Sequence, residues 1–108
     1  MDNSKTTNYY NEYWARQDGW MPRVAISQLQ QKIFADLITP ASIVLDLGCG
    51  DGMHYGRVLA QTTLAYHGLD VSQVAVELAC QSGILARQHD LSNSLPYQNE
   101  MFDIVICF

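Results

Sequence analysis

At 108 residues, 48% apolar and 16% charged, the chain holds too much hydrophobic surface to stay disordered and is one domain or part of one. Eleven acids against six bases give a net charge of −5, and the bases (Lys5, Arg16, Arg23, Lys32, Arg57, Arg87) lie scattered, so nothing neutralises a row of phosphates and no nucleic-acid partner is expected for this segment. No apolar run nears the roughly 20 residues that span a bilayer, and Cys49, Cys80 and Cys107 form no C-x-x-C pair and follow no signal-peptide pattern, which points to a reducing cytoplasm and no membrane.

In chain order, the first predicted element is a short aromatic helix. Tyr9, Tyr10, Tyr13 and Trp14 fall at i, i+1, i+4 and i+5, on one side of a helical turn or two, with Trp20 beyond them. A clearer helix follows, in which Ile26, Leu29, Ile33, Phe34, Leu37 and Ile38 recur at helical spacing until Thr39-Pro40 stops it. Residues 1–41 are thus expected to form an N-terminal helical segment that packs on the sheet of 42–108.

From there the pattern alternates. Strands are predicted at 43–47, 64–69, 84–89 and 102–108, all rich in β-branched, aromatic or aliphatic residues. Helices are predicted at about 53–61 and about 73–82, the second with Ser72 as N-cap and Gly83 as its C′ residue. The stretch 91–101 has a proline and little periodicity and reads as a loop with at most one helical turn. Strand and helix in alternation imply right-handed crossovers in a parallel sheet with flanking helices, an α/β fold. Cys80 and Cys107 are expected in its core. His54, His67 and His89 lack metal-ligand spacing and are expected at the surface or in packing.

The stretch "VLDLGCGDG", residues 44–52, sets three glycines directly after a predicted strand. Glycines there let the chain turn sharply and let a ligand approach main-chain atoms that a Cβ would shield. A helix starting near Met53 would add its unsatisfied N–H groups to the same space, at the carboxyl edge of the sheet where open α/β folds bind ligands. The dinucleotide pattern G-x-G-x-x-G fails, because the sixth position from Gly48 is Met53. Carboxylates at Asp46 and Asp51 would repel a pyrophosphate and suit a ligand with a positive centre.

These residues resemble the first motif of the class I S-adenosylmethionine (SAM) dependent methyltransferases, D-x-G-x-G-x-G, with Asp46, Gly48, Gly50 and Gly52 in register. "GLDVS" (68–72) is similar to the acidic end of that family's second strand, "HDLSNSLPY" (89–97) to the acidic turn after the third, and "FDIVICF" (102–108) to the fourth strand. The resemblance implies a Rossmann-like parallel sheet with flanking helices, S-adenosyl-L-methionine as cofactor and methyl transfer to a small-molecule substrate. It also implies roles for residues. Asp70, twenty positions after Gly50, would accept hydrogen bonds from the ribose hydroxyls, and Val71 would offer the adenine an apolar face. Asp90 would take the adenine amino group, with the Leu91 amide near a ring nitrogen. Gly48 and Gly50 would pass under the methionine portion, with Cys49 as small filler between them, and Asp46 would bond near its ammonium group. The aromatic cluster Tyr9, Tyr10, Tyr13 and Trp14 would form a lid over the cofactor or pack on the sheet.

The family's sheet has about seven strands, and the matches here supply four. A domain truncated after the fourth strand is therefore expected, with that strand's open edge available for self-association or a protein partner. The residues that carry substrate contacts in the family lie beyond these motifs, so no catalytic residue is assigned. Within the family, "LDLGCGDG" with "HDLSNSLPYQNEMFDIVI" resembles the branch that includes the methionine-biosynthesis protein MetW, whereas "NYYNEYW" looks more like the small-molecule methyltransferases. The alternatives are a non-catalytic SAM-binding or partner-regulating module and, because Asp70 would serve a ribose there too, a nicotinamide dinucleotide enzyme.

Overall fold

The computed structural model describes residues 4–16 and 27–107. Trp20, Ile26 and Phe108 lie outside the described residues. Within them the elements run α1 (Ser4–Ala15), α2 (Gln28–Leu37), β1 (Ile43–Leu47), α3 (Gly56–Thr62), β2 (Ala65–Asp70), α4 (Gln73–Gln81), β3 (Ala86–Gln88) and β4 (Ile104–Cys107). The strands make one parallel sheet in the order β3-β2-β1-β4. The chain steps outward from β1 through β2 to β3 and then returns to the other side of β1, so the topological switch lies between β1 and β4. The sheet and flanking helices are the Rossmann-like α/β architecture that the alternating pattern implies.

Register decides which side chains meet the helices. Val44 stands opposite Tyr66 and Ile104, and Asp46 opposite Gly68 and Ile106, so with two-residue alternation these share one face. On that face Val44, Tyr66 and Ile106 join Phe34 and Ile38 from α2 and its C-cap, Leu59 of α3, Ala79 of α4 and Ile84 in a single buried cluster. Both crossovers run in the same direction along the sheet, and right-handedness puts α3 and α4 on the same side. The other face carries Leu45, His67, Leu69, Val105 and Cys107. The loop before β4 covers part of it, with the rings of Tyr97 and Phe102 edge-on to His67 at 5.9 and 5.4 Å.

Local chemistry sets the ends of the helices. Ser27 Oγ accepts the Gln30 N–H at 3.1 Å while Gln30 Oε1 accepts the Ser27 N–H at 3.1 Å, a capping box at the start of α2. Ile38 is extended and Pro40 follows, as Thr39-Pro40 requires. Ser72 caps α4 by accepting the Ala75 N–H, and Gly83 sits just beyond at φ +78°, both as the sequence predicts. Residues 91–101 carry no helix or strand.

Several expectations are corrected. α3 begins at Gly56 rather than near Met53, because Asp51 Oδ1 takes the Met53 N–H at 3.0 Å and holds a turn there. β3 spans three residues instead of six, its ladder limited to the partners Gly68 to Asp70. β2 is displaced by one residue to 65–70, which leaves Leu64 exposed, and β4 begins at Ile104, after Asp103 has bonded the start of β1. In α2 only Phe34 is buried, while Leu29 and Leu37 are 68% and 63% exposed. Cys80 and Cys107 are exposed rather than in the core. Cys80 lies just past the buried stripe Ala75, Val76, Ala79, and Cys107 alternates with the buried Ile106, so it faces away from the helices. Among the described residues no helix is long and apolar enough to cross a membrane.

Candidate functional site

The glycine run leaves the carboxyl end of β1 with Gly48, Gly50 and Gly52 at φ of +75°, +59° and +76°. The Gly48 and Cys49 N–H groups both donate to the Leu69 carbonyl, at 2.8 and 2.9 Å, which folds the turn back over β2. The surroundings of the three glycines differ. A Cβ on Gly48 would meet nothing within 4 Å, so that position opens to space. A Cβ on Gly50 would stand 2.5 Å from Trp14 Cζ2, and one on Gly52 would stand 2.6 Å from Ile84 Cδ1. Gly48 is the bare approach, Gly50 is roofed by an indole, and Gly52 is closed by the core.

Asp70, at the end of β2, is 8% exposed and ties the loop to the neighbouring strand. Its Oδ2 accepts the Gly50 N–H at 2.9 Å and its Oδ1 accepts the Ser72 N–H at 2.9 Å. Each oxygen keeps a further lone pair, so the carboxylate can accept two more hydrogen bonds. The Ser72 hydroxyl donates to Asn11 Oδ1 at 2.7 Å. Helix α1 is thus fastened at Ser72 through Asn11 and lies on Gly50 through Trp14. Of the four clustered aromatics it is Trp14 that reaches the loop, whereas Tyr9 and Tyr10 are 57% and 41% exposed.

Asp46 is buried on the helix-covered face, and the Tyr66 hydroxyl donates to its Oδ2 at 2.7 Å. Burial pushes its carboxyl up to about 6; the Tyr66 bond opposes that rise and the Asp70 charge adds to it. Burial, then the charges of Asp46 and Asp70, push the Cys49 thiol well above its ordinary range, so it stays protonated as small filler and is no nucleophile. Tyr66 is pushed up in the same way by burial and by Asp46, and remains a donor.

Gly48, Cys49, Gly50 and Asp70 therefore meet directly, with Asp46 beneath them. Val71 is half-buried and its carbonyl accepts Gln88 Nε2 at 3.2 Å. Asp90 and Leu91 stand farther along the same edge, past β3: the His89 N–H reaches the Asp70 carbonyl at 2.8 Å, Asp90 Oδ1 accepts the Ser92 N–H at 2.9 Å, and Leu91 is 44% exposed. Sequence reasoning missed Asn11, Tyr66 and Gln88, which reach this edge only through tertiary contacts. It also gave His89 no polar role, yet its Nε2 is buried without a hydrogen-bond partner among the described residues. A cleft lined by His67, Gly68, Leu85, Ala86, Arg87 and Tyr97 contains none of the predicted site residues. It borders the β2–β3 ladder, apart from the strand ends that carry the glycine turn, Asp46 and Asp70. No three His, Cys, Asp or Glu side chains among the described residues cluster as a metal site would.

Comparison with known proteins bears on this geometry. No curated protein matches the chain. Among solved structures it is similar to the YcgJ protein of Bacillus subtilis, at 27% identity and TM-score 0.62 over 73% of this chain and 36% of that one. It is also similar to the magnesium protoporphyrin IX methyltransferase ChlM of Synechocystis PCC 6803 with bound SAH (S-adenosylhomocysteine), at 22% identity and TM-score 0.68 over 98% of this chain and 57% of that one. A third is a TehB-like SAM-dependent methyltransferase of Corynebacterium glutamicum, at 18% identity and TM-score 0.63 over 98% and 56%. The chain thus spans from about a third to somewhat over half of the length of these proteins. The family described as "Methyltransferase domain" matches residues 44–108, from β1 through β4, and by that match the chain belongs to it.

Proposed function

We propose that this chain is the cofactor-binding half of a SAM-dependent methyltransferase that acts on a small-molecule acceptor in the cytoplasm. One observation carries the reading: the Gly50 N–H is bonded to the Asp70 carboxylate, so the bare turn after β1 and the acid at the end of β2 form a single site. The residues fit the cofactor. Gly48 has open space where a side chain would be, and Asp70 has acceptor capacity left for two hydroxyls. In this reading Asp70 holds the ribose, Val71 and Leu91 flank the adenine and Asp90 accepts its amino group. Gly48, Cys49 and Gly50 line the methionine portion, and Asp46 complements its ammonium.

When bound, the cofactor supplies a methyl group on a positively charged sulfur. In this reading the residues here bind it and orient it, which is much of what such a transfer asks of a protein. Three free thiols, with no disulfide, support the cytoplasm. Calorimetric titration of the chain with SAM and with SAH tests the assignment. We expect both to bind with dissociation constants of about micromolar order, and a folded chain that binds neither would overturn it.

A second reading, a SAM-binding module that acts on a protein partner or a second copy of itself, is favoured by β4. That strand has β1 on one side and no strand on the other among the described residues, and its Val105 is 56% exposed. Methyl transfer by this chain alone to any acceptor would count against it.

A further inference from the structure

Beneath the glycine loop, residues far apart in sequence are shaped around one hydroxyl. Tyr66 stands opposite Val44, one alternation behind Asp46, and reaches diagonally across to donate to its Oδ2 at 2.7 Å. The position opposite Asp46 is Gly68, where a Cβ would lie 3.1 Å from that hydroxyl and 2.8 Å from Cys49 Sγ. At Gly56, the first residue of α3, a Cβ would lie 2.9 Å from the same hydroxyl. Two glycines on different elements thus clear the space through which Tyr66 meets Asp46. The other Asp46 oxygen accepts no hydrogen bond among the described residues.

We propose that Tyr66 is a positioning residue for the cofactor: its hydroxyl fixes one oxygen of Asp46 and thereby leaves the other, in a set orientation, for the ammonium group of the cofactor's amino-acid end. The proposal rests on the SAM reading above and adds a residue to it. The titratable groups facing Asp46 are Tyr66 and Asp70 on β2 and Cys49 in the loop. The β4 neighbour is Ile106, and α3 meets this space at Gly56 while its one charged residue, Arg57, is exposed. Only an ionised Asp46 complements an ammonium, and burial pushes its carboxyl up to about 6. Affinity that depends on this contact must therefore fall as pH drops through that value. Removing the Tyr66 bond, which lowers the carboxyl's pKa, moves the fall to higher pH.

The experiment measures the affinity of the full chain and of Tyr66→Phe for SAH at pH values on either side of about 6. Methylthioadenosine, which has the nucleoside but lacks the amino-acid end, is the control. SAH affinity of the parent should fall on the acid side, and in Tyr66→Phe the midpoint should move up by about one pH unit. Methylthioadenosine should show neither change. A folded Tyr66→Phe with the parent's SAH midpoint, or with equal losses for both ligands, overturns the proposal. Should Tyr66→Phe not fold, Asp46→Asn keeps an acceptor for the hydroxyl and should bind SAH weakly with no pH step; a step retained there overturns it equally. A folded parent that binds neither ligand at any pH fails the SAM reading itself, and this proposal with it.

Discussion

Replacing Asp70 with alanine should abolish most cofactor affinity and also weaken the fold. The carboxylate accepts the Gly50 and Ser72 N–H groups, both at 2.9 Å, and is itself 8% exposed. Alanine leaves those two amides without their acceptor, at about 1–3 kcal/mol each where water cannot replace it. It also removes the acceptor for the ribose, a charged hydrogen bond of about 1.5–3 kcal/mol, equivalent to roughly 10- to 150-fold in SAM affinity. Asp70→Asn separates the two effects. Its amide keeps one acceptor oxygen and turns an NH2 toward the other N–H, so it should restore part of the stability and little of the affinity. Denaturant unfolding read beside calorimetry checks both, and Asp70→Ala binding SAM as well as the parent would remove Asp70 from the site.

The second large effect is expected at Gly52, which the motif match treats as one more glycine of the loop. Its φ of +76° is costly for a side chain, and a Cβ would lie 2.6 Å from Ile84 Cδ1 and 3.2 Å from its Cγ2, within a residue that is 4% exposed. Backbone strain of about 1 kcal/mol and overpacking of about 1–3 kcal/mol act together in Gly52→Ala. Gly48→Ala meets only the first, because its Cβ would project into open space. Gly52→Ala should therefore unfold at clearly lower denaturant than Gly48→Ala. Equal midpoints for the two would show that the Ile84 contact is not a constraint.

Much of this was legible because it depends on local pattern. The alternation of apolar runs with capped helices located all four strands, and Ser72 and Gly83 marked the ends of α4. The glycine run and Asp70 declared a site because strand ends in parallel sheets converge there. What could not be read depends on register or on a local competitor for hydrogen bonds. That Tyr66 meets Asp46 follows from Asp46 lying opposite Gly68, which no single strand's pattern contains. Gly56 replaced Met53 as the start of α3 because one side chain, Asp51, captured an amide. Cys80 and Cys107 looked like core by type, but each lies one step off a buried stripe.

The strand order also sets how much chain each pairing must close, at a cost in chain entropy. Pairing Val44 with Tyr66 closes 22 positions (66 − 44), whereas pairing Val44 with Ile104 closes 60 (104 − 44). The longer closure costs about 0.9 kcal/mol more by the logarithmic rule. Against that, β4 gains the two bonds of Asp103 with Ile43, at 2.8 and 2.9 Å, but no second neighbour among the described residues. β4, like the three-residue β3, has one sheet neighbour among the described residues, so the amides of both should exchange with solvent before those of β1 and β2. The crevice at the topological switch is thus walled on one side by a strand paired along both edges, and on the other by one paired along a single edge among the described residues.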